Sequence, residues 1–275
     1  MNRIVLLGTG CPSPSHLRYG PSSLIEYNDE KILIDAGSGV TQRLSQTGVK
    51  PSEIDAIFIT HLHSDHIVDL YQLFISSWHT GRSKSFKVYG PKGINSFFQK
   101  MLDAFDEELS LRKNWERRTN NSGLDCEIVE LNFGDVVEND KLSIKAFEVD
   151  HFPVEPAFGY SISTGSEKIV FSGDTRYSQN LIKEAEKAKY LIHEVFLGLD
   201  FDPKRMTEKT VKNVEDYHTR PEEVAKLAQL AEVKSLILNH FVPPVFDESK
   251  LKGTIAKFYK GDIFVGEDLM EFKLL

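Results

Sequence analysis

Short apolar runs, each closed by glycine or a polar residue, alternate with turns through the first third of the chain. RIVLLG, SSLIEY, KILIDAG and DAIFIT are dense in β-branched residues and read as strands. Asn28–Glu30, between two of them, reads as a hairpin turn. SGVTQRLSQTG changes period and predicts a helix with Ser38 as its N-cap and Gly48 at its end. Val68, Leu70, Tyr71, Phe74, Ile75 and Trp78 recur at helical spacing, predicting a second helix from about His66 to Trp78. Ile94, Phe97, Phe98, Met101, Leu102 and Phe105 form a third, amphipathic series. Its apolar face suits a core or a homodimer interface. Residues 106–125 lose the period and become charged, which predicts a surface excursion with some helix around Trp115.

From Glu127 the strand pattern returns in EIVEL, LSIKAFEV, FGYSIS, KIVFSGD, KYLIHEV, SLILNH and DIFVGED. NLIKEAEKA and TRPEEVAKLAQLA predict helices, the latter with Thr219 as N-cap and Pro221 in its first turn. No short-period repeat, low-complexity linker or composition break divides the chain, so one domain over residues 1–275 is expected. Strands outnumber helices in both halves, a pattern that two sheets with helices outside would satisfy.

Composition narrows the function classes. A net charge of −8 weighs against a large polyanionic partner. Two cysteines, Cys11 and Cys126, cannot build a disulfide framework and fit a reducing compartment. The N-terminal apolar run is too short for a signal peptide, and no segment reaches the ~20 apolar residues of a membrane span. A cytoplasmic protein without membrane contact is expected.

The stretch FITHLHSDH places three of the nine histidines and an aspartate within six positions, directly after an apolar strand. His61 and His63, two apart in an extended loop, point to the same side. Imidazole and carboxylate together suit Zn²⁺ and related ions. A lone histidine at a strand end is usually a satisfied structural group, but other polar residues end or sit in strands in the same way. They are His151, Asp174, His193 with Glu194, and His240. Strand ends along one sheet edge are where sites are built.

HLHSDH, then His151, SGDT with Asp174, and NH with His240 resemble the metallo-β-lactamase superfamily, whose motifs run in this order. LIDAG with Asp35 is similar to its first motif. LLGTGCPSP, RYGPSS, LIHEV and YHTRPEE resemble the branch holding ribonuclease Z and the arylsulfatase-like hydrolases. GPSS, THLHSDHIVDL and VYGP look closest to the arylsulfatase-like members. The resemblance covers the whole chain and implies an α/β fold, a four-layer αββα sandwich with a dinuclear metal site at one edge. It implies one metal on His61, His63 and His151, a second on Asp65, His66 and His240, and Asp174 bridging them. Two divalent ions are expected, Zn first, with Mn or Fe as alternatives. A hydroxide shared by the two ions would attack the substrate. Asp65 would also orient the nucleophile. His218 would protonate the leaving group or stabilise transition-state charge, with Glu194 orienting it. His193 would support a ligand's far ring nitrogen or a carboxylate. Asp35 would bond the His61 loop, and His16 and His79 read as surface residues.

Ribonuclease Z usually carries a long tRNA-gripping arm between the positions matching His151 and Asp174. Here 22 residues separate them, filled by two strands and a turn. The expected substrate is therefore a small anionic sulfate or phosphate ester, cleaved in arylsulfatase-like fashion. A phosphodiesterase or a ribonuclease Z-like tRNA 3′-end endonuclease is the alternative, and a non-hydrolytic metal- or redox-sensing protein a further one. Arg18, Tyr19, Ser22 and Arg176 are expected nearest an anionic ester. Arg112, Lys113, Arg117 and Arg118 around Trp115 could wall the pocket, unless Trp115 packs on the core.

Overall fold

The computed structural model describes residues 2–199 and 202–275. The first sheet contains β1 (Arg3–Gly8), β2 (Ser22–Tyr27), β3 (Glu30–Ile34), β4 (Ala56–Phe58), β5 (Phe86–Gly90) and β6 (Cys126–Glu130) in chain order, with β14 (Glu271–Lys273) outside β1. The second contains β7 (Val136–Glu138), β8 (Ser143–Glu148), β9 (Phe158–Ser163), β10 (Lys168–Phe171), β11 (Tyr190–Phe196), β12 (Ser235–Val242) and β13 (Asp262–Val265), also in chain order. Each sheet begins with antiparallel neighbours and finishes with three parallel pairings. The two halves of the chain thus share one topological pattern that no sequence repeat announces.

Alternation along the strands builds four layers. Ile4, Leu6, Ile32, Ile34 and Phe58 of the first sheet meet Ile144, Tyr160, Ile169, Ile192 and Ile237 of the second. The opposite faces of the same strands bury Val5, Leu7, Leu33 and Ile57 under α1 (Val40–Gln46), α3 (Leu70–His79) and α4 (Ile94–Ala104). Val170, Leu191, Val195, Leu236 and Leu238 lie under α6 (Gln179–Glu184), α8 (Pro221–Leu230) and α9 (Glu248–Phe258). Strands covered on both faces read as unbroken apolar runs. Each fully buried Leu, Ile or Phe contributes roughly 1.5–3 kcal/mol, so the strand ends are held firmly. No helix among the described residues is long and apolar enough to cross a membrane.

Several predicted boundaries shift for local reasons. The hairpin turn is at Asn28 and Asp29, both at positive φ (46° and 71°), as a two-residue turn requires. The N-cap of α1 is Gly39, not Ser38. Gly39 has φ 79°, and a Cβ there would meet the Tyr19 ring at 2.0 Å. The helix predicted from His66 to Trp78 is two: α2 (Ser64–Ile67) and α3. Asp69, at the break, accepts bonds from the Thr41 backbone N–H and hydroxyl. Arg220, not Thr219, caps α8, with Pro221 at its start. The 106–125 excursion contains α5 (Asp106–Glu116), which buries no residue. Trp115 is 86% exposed, so it does not pack on the core.

Candidate metal centre

Every polar residue singled out at a strand end reaches the same edge of the two sheets except His193. His61 and His63 lie on the loop between β4 and α2, and Asp65 and His66 within α2. His151 follows β8 and Asp174 follows β10. His240 sits inside β12, where Glu194 pairs with Asn239 but Val195 pairs with Phe241. It is therefore the extra residue of a bulge, at φ 41°. The bulge turns a side chain out of the regular alternation and into the site. Asp35, leaving β3, has φ 61°, and Gly173, leaving β10, has φ 60°. A Cβ on Gly173 would meet the Phe158 carbonyl oxygen at 2.5 Å. Left-handed backbone at two strand exits and one bulge, all converging, is what a built site shows.

Two groups of donors result. In one, His61 Nε2 lies 3.0 Å from His63 Nδ1, which lies 3.3 Å from His151 Nε2. In the other, Asp65 Oδ2 lies 3.6 Å from His66 Nε2 and 3.2 Å from His240 Nε2. Asp174 Oδ2 stands between them, 3.8 and 3.9 Å from His61 and His151 and 3.5 and 3.4 Å from His66 and His240. A cation ~2.0–2.1 Å from tetrahedral imidazole donors sets neighbouring donor atoms about 3.3–3.4 Å apart. The observed spacings bracket that value. All seven residues are buried except His63, which is half-buried.

The far ring nitrogens fix which atoms face inward. His151 Nδ1 is 2.9 Å from the Tyr217 carbonyl oxygen, which can only accept, so Nδ1 carries the proton and Nε2 presents a lone pair. His66 Nδ1 donates to Asp35 Oδ2 at 2.8 Å, and His66 Nε2 is a buried atom with no hydrogen-bond partner. His61 Nδ1 bonds Thr60 Oγ1 at 3.0 Å, while that hydroxyl bonds Asp35. Asp35 thus ties the His61 loop and His66 together without joining the donor cluster.

Electrostatics agree with a cation site. Asp35, Asp65 and Asp174 are all buried. Burial disfavours charge on His66, but Asp174, Asp35 and Asp65 outweigh it and hold its pKa well above the usual value. Burial and the neighbouring His66 push His61 well below its usual value. Burial opposes charge on Asp174 too, yet His240 and His66 hold it well below the ordinary carboxylate range. Buried carboxylates demand a positive partner. Divalent cations held among the surrounding imidazoles would supply it. The histidine and aspartate groups fit a divalent metal site.

A further pair borders the donors. His218 Nδ1 lies 3.1 Å from Glu194 Oε1, which also accepts from the backbone N–H of Thr219 and Thr175. Burial alone would lower the His218 pKa, but the Glu194 charge and hydrogen bond push it up to about 8. A donor atom of His218 also lies within 4.8 Å of donor atoms of Asp174 and His240.

Other expectations need correction. His193 Nδ1 bonds the Glu194 carbonyl at 2.6 Å and its Nε2 has no partner, so it supports no member of the donor cluster. Arg18 does not present itself to an anion. It bonds Thr9 Oγ1 and the Gly266 carbonyl and lies 4.3 Å from the Phe241 ring. Arg176 braces the loop after β8 against the α7 (Glu208–Asp216) end, through Asp150 and Asp216. Ser22 bonds the Asp35 carbonyl. The surface reading of His16 and His79 holds: both are exposed, and His79 bonds the Ile75 carbonyl of its own helix. Thr60 and the Tyr217 carbonyl, which orient three of the imidazoles, carried no signal in the sequence.

A family model described as "Anti-Pycsar protein Apyc1" matches residues 2–235. The ribonuclease Z of Mycobacterium marinum is 33% identical over 277 residues, covering 98% of this chain and 97% of that protein. The chain belongs to this family, within the metallo-β-lactamase superfamily. The ribonuclease Z of Mycobacterium bovis is similar at 32% identity over 274 residues, again covering 98% of this chain and 97% of that one. Human tRNase Z, short form, superposes with a TM-score of 0.72 at 25% identity, over 98% of each chain. The metallo-β-lactamase fold protein YhfI of Bacillus subtilis superposes with a TM-score of 0.78 at 19% identity, over 98% of each chain, which speaks for the fold. The four-layer expectation holds, and the chain is a metal-dependent hydrolase of that fold. The two mycobacterial relatives and the human structure carry ribonuclease Z names, and none of the four carries an arylsulfatase name.

Proposed function

We propose that this protein is a dinuclear-metal phosphodiesterase acting on RNA, in the manner of a ribonuclease Z that trims precursor tRNA at its 3′ end. The observation that carries this reading is the donor set of seven, split three and three about Asp174, with the His218–Glu194 pair beside it. Ribonuclease Z relatives of the same length support RNA over the sulfate ester expected from sequence. His61, His63 and His151 would hold one cation and Asp65, His66 and His240 the other, with Asp174 shared. Zn is the first choice for so imidazole-rich a set. Bound there, the cations supply Lewis acidity toward phosphate oxygen and acidify water. Asp65 accepts the proton of the attacking water and orients it. His218, kept protonated by Glu194, donates from Nε2 to the departing oxygen. Residues 1–275 act as one catalytic unit, placed in the cytoplasm with its RNA.

One observation favours a smaller phosphodiester as a second reading. The 22 residues between His151 and Asp174 are taken up by β9 and β10, so no arm projects there, and the chain is acidic overall. The test is a panel of precursor tRNA, methyl p-nitrophenyl phosphate and p-nitrophenyl sulfate, run with metal analysis. Endonucleolytic cleavage of tRNA at catalytic enzyme levels supports the first reading. Cleavage of the small diester alone supports the second. Turnover of the sulfate alone refutes both.

A further inference from the structure

A cavity of about 640 Å³ adjoins the donor cluster through His151, which lines it. That is ample for a nucleoside. Two aromatic rings border it, Phe152 at 55% exposure and Phe133 at 47%. Phe133 stands edge-on to buried Phe158 with centroids 5.3 Å apart, and the Arg176 guanidinium carbon lies 5.9 Å from the Phe152 ring centre. Large rings left in solvent beside a reactive centre mark recognition rather than packing.

The polar lining says what is recognised. Arg176 is the cavity's cation, and Asp150 and Asp216 already engage it at 3.0 and 2.8 Å. Glu148 and Glu155 also line the cavity, and neither has an ion-pair partner among the described residues. Such a cavity repels a phosphate, which belongs at the cations next door. It suits a flat neutral ring that stacks on phenyl and offers N–H donors to carboxylates. We infer that this cavity is a nucleobase subsite, stacking the base beside the scissile phosphate on Phe152 and Phe133 and preferring cytosine over uracil through Glu148 and Glu155. Cytosine and uracil differ there by an exocyclic amine against a carbonyl, so the carboxylates attract one and repel the other.

The inference rests on the phosphodiesterase reading, and its test separates the two. The p-nitrophenyl phosphodiesters of cytidine and of uridine are compared with base-free methyl p-nitrophenyl phosphate. All three share one leaving group. Stacking by one aromatic ring predicts that Phe152→Ala lowers kcat/KM for the cytidine diester roughly 5- to 150-fold more than for the methyl diester. Phe152→Tyr should restore the difference. Glu148→Gln with Glu155→Gln should erode the cytidine-to-uridine ratio. Equal losses on the cytidine and methyl diesters, or no loss on either, overturn the subsite. A wild-type protein inert toward both the methyl diester and precursor tRNA defeats the phosphodiesterase reading instead. Saturation-transfer NMR of cytidine with metal-free protein then decides the cavity alone. Transfer to the base protons that vanishes in Phe152→Ala supports the subsite, and transfer to ribose only, or none, overturns it.

Discussion

Replacing Asp35 by asparagine isolates the support of one half of the metal site. The backbone should tolerate the change, because asparagine accepts the φ of 61° that this position requires. The amide oxygen can still accept from the Thr60 backbone N–H, now 2.8 Å from Oδ1. The amide NH₂ then faces His66 Nδ1, donor against donor, where a carboxylate oxygen stood at 2.8 Å. To escape, His66 moves its proton to Nε2, the atom that faces Asp65 and Asp174. A hydrogen bond to a charged group is worth about 1.5–3 kcal/mol. At about 1.4 kcal/mol per decade, that is roughly a 10- to 150-fold loss of affinity. Losses on removing the partner of a metal-ligating histidine run about 10–100-fold, the same range. The assay is competition between protein and a chromogenic chelator for Zn²⁺, resolved into two equivalents, with circular dichroism to confirm folding. The expected result is one equivalent weakened 10- to 100-fold, the one that also needs Asp65 and His240, with a smaller change in the other. Two equivalents at wild-type affinity in folded Asp35→Asn protein would refute the role given to Asp35. Equal weakening of both would refute its selectivity for His66.

Three further outcomes follow from the same geometry. With a poor leaving group, the rate should fall as pH rises through about 8, where His218 loses its proton, and Glu194→Gln should move that fall to lower pH. An alkaline limb unmoved by Glu194→Gln, or a His218→Ala loss equal for good and poor leaving groups, argues against proton donation. Gly173→Ala should lower stability by about 1–3 kcal/mol, because its Cβ would meet the Phe158 carbonyl at 2.5 Å in a left-handed backbone. Thermal unfolding at wild-type temperature would contradict that. Burial pushes the Cys11 thiol up to about 11 and Cys126 to about 12. At pH 8 the native protein should therefore react with a thiol reagent at least ~100-fold more slowly than the denatured chain, as absorbance of the released thiolate reports.

The donors were legible because each sits where an apolar run stops, and apolar runs are the strongest signal a sequence offers. What stayed hidden was whatever answers to a partner far along the chain. Thr219 looked like an N-cap, yet its hydroxyl donates to the Thr175 carbonyl at 2.5 Å and its N–H to Glu194. The residue best suited to cap α8 is spent holding the Asp174 loop and Glu194 in register, and Arg220 caps instead through a reciprocal exchange with Glu223. The helical series through Val68 was real in period, but Asp69 turns to α1 and leaves Val68 58% exposed. β7 and β14 have three residues each, too few for alternation to register, and α9 buries only Leu251 and Ile255. The positive φ of His240 is the deepest case. SLILNHFV reads as eight residues of regular strand, and by strict alternation His240 would share a face with Leu236 and Leu238, in the core beneath the helices. Only pairing with β11, where one residue is looped out, brings its Nε2 to 3.4 Å from Asp174. A site of this kind names its donors in the local pattern and keeps their aim in the long-range pairing. Removing the bulge by deleting Asn239 should therefore abolish one metal equivalent while His61, His63 and His151 keep theirs, an outcome the chelator competition reads directly. Retention of both equivalents would show that the looped-out residue does not set the aim of His240.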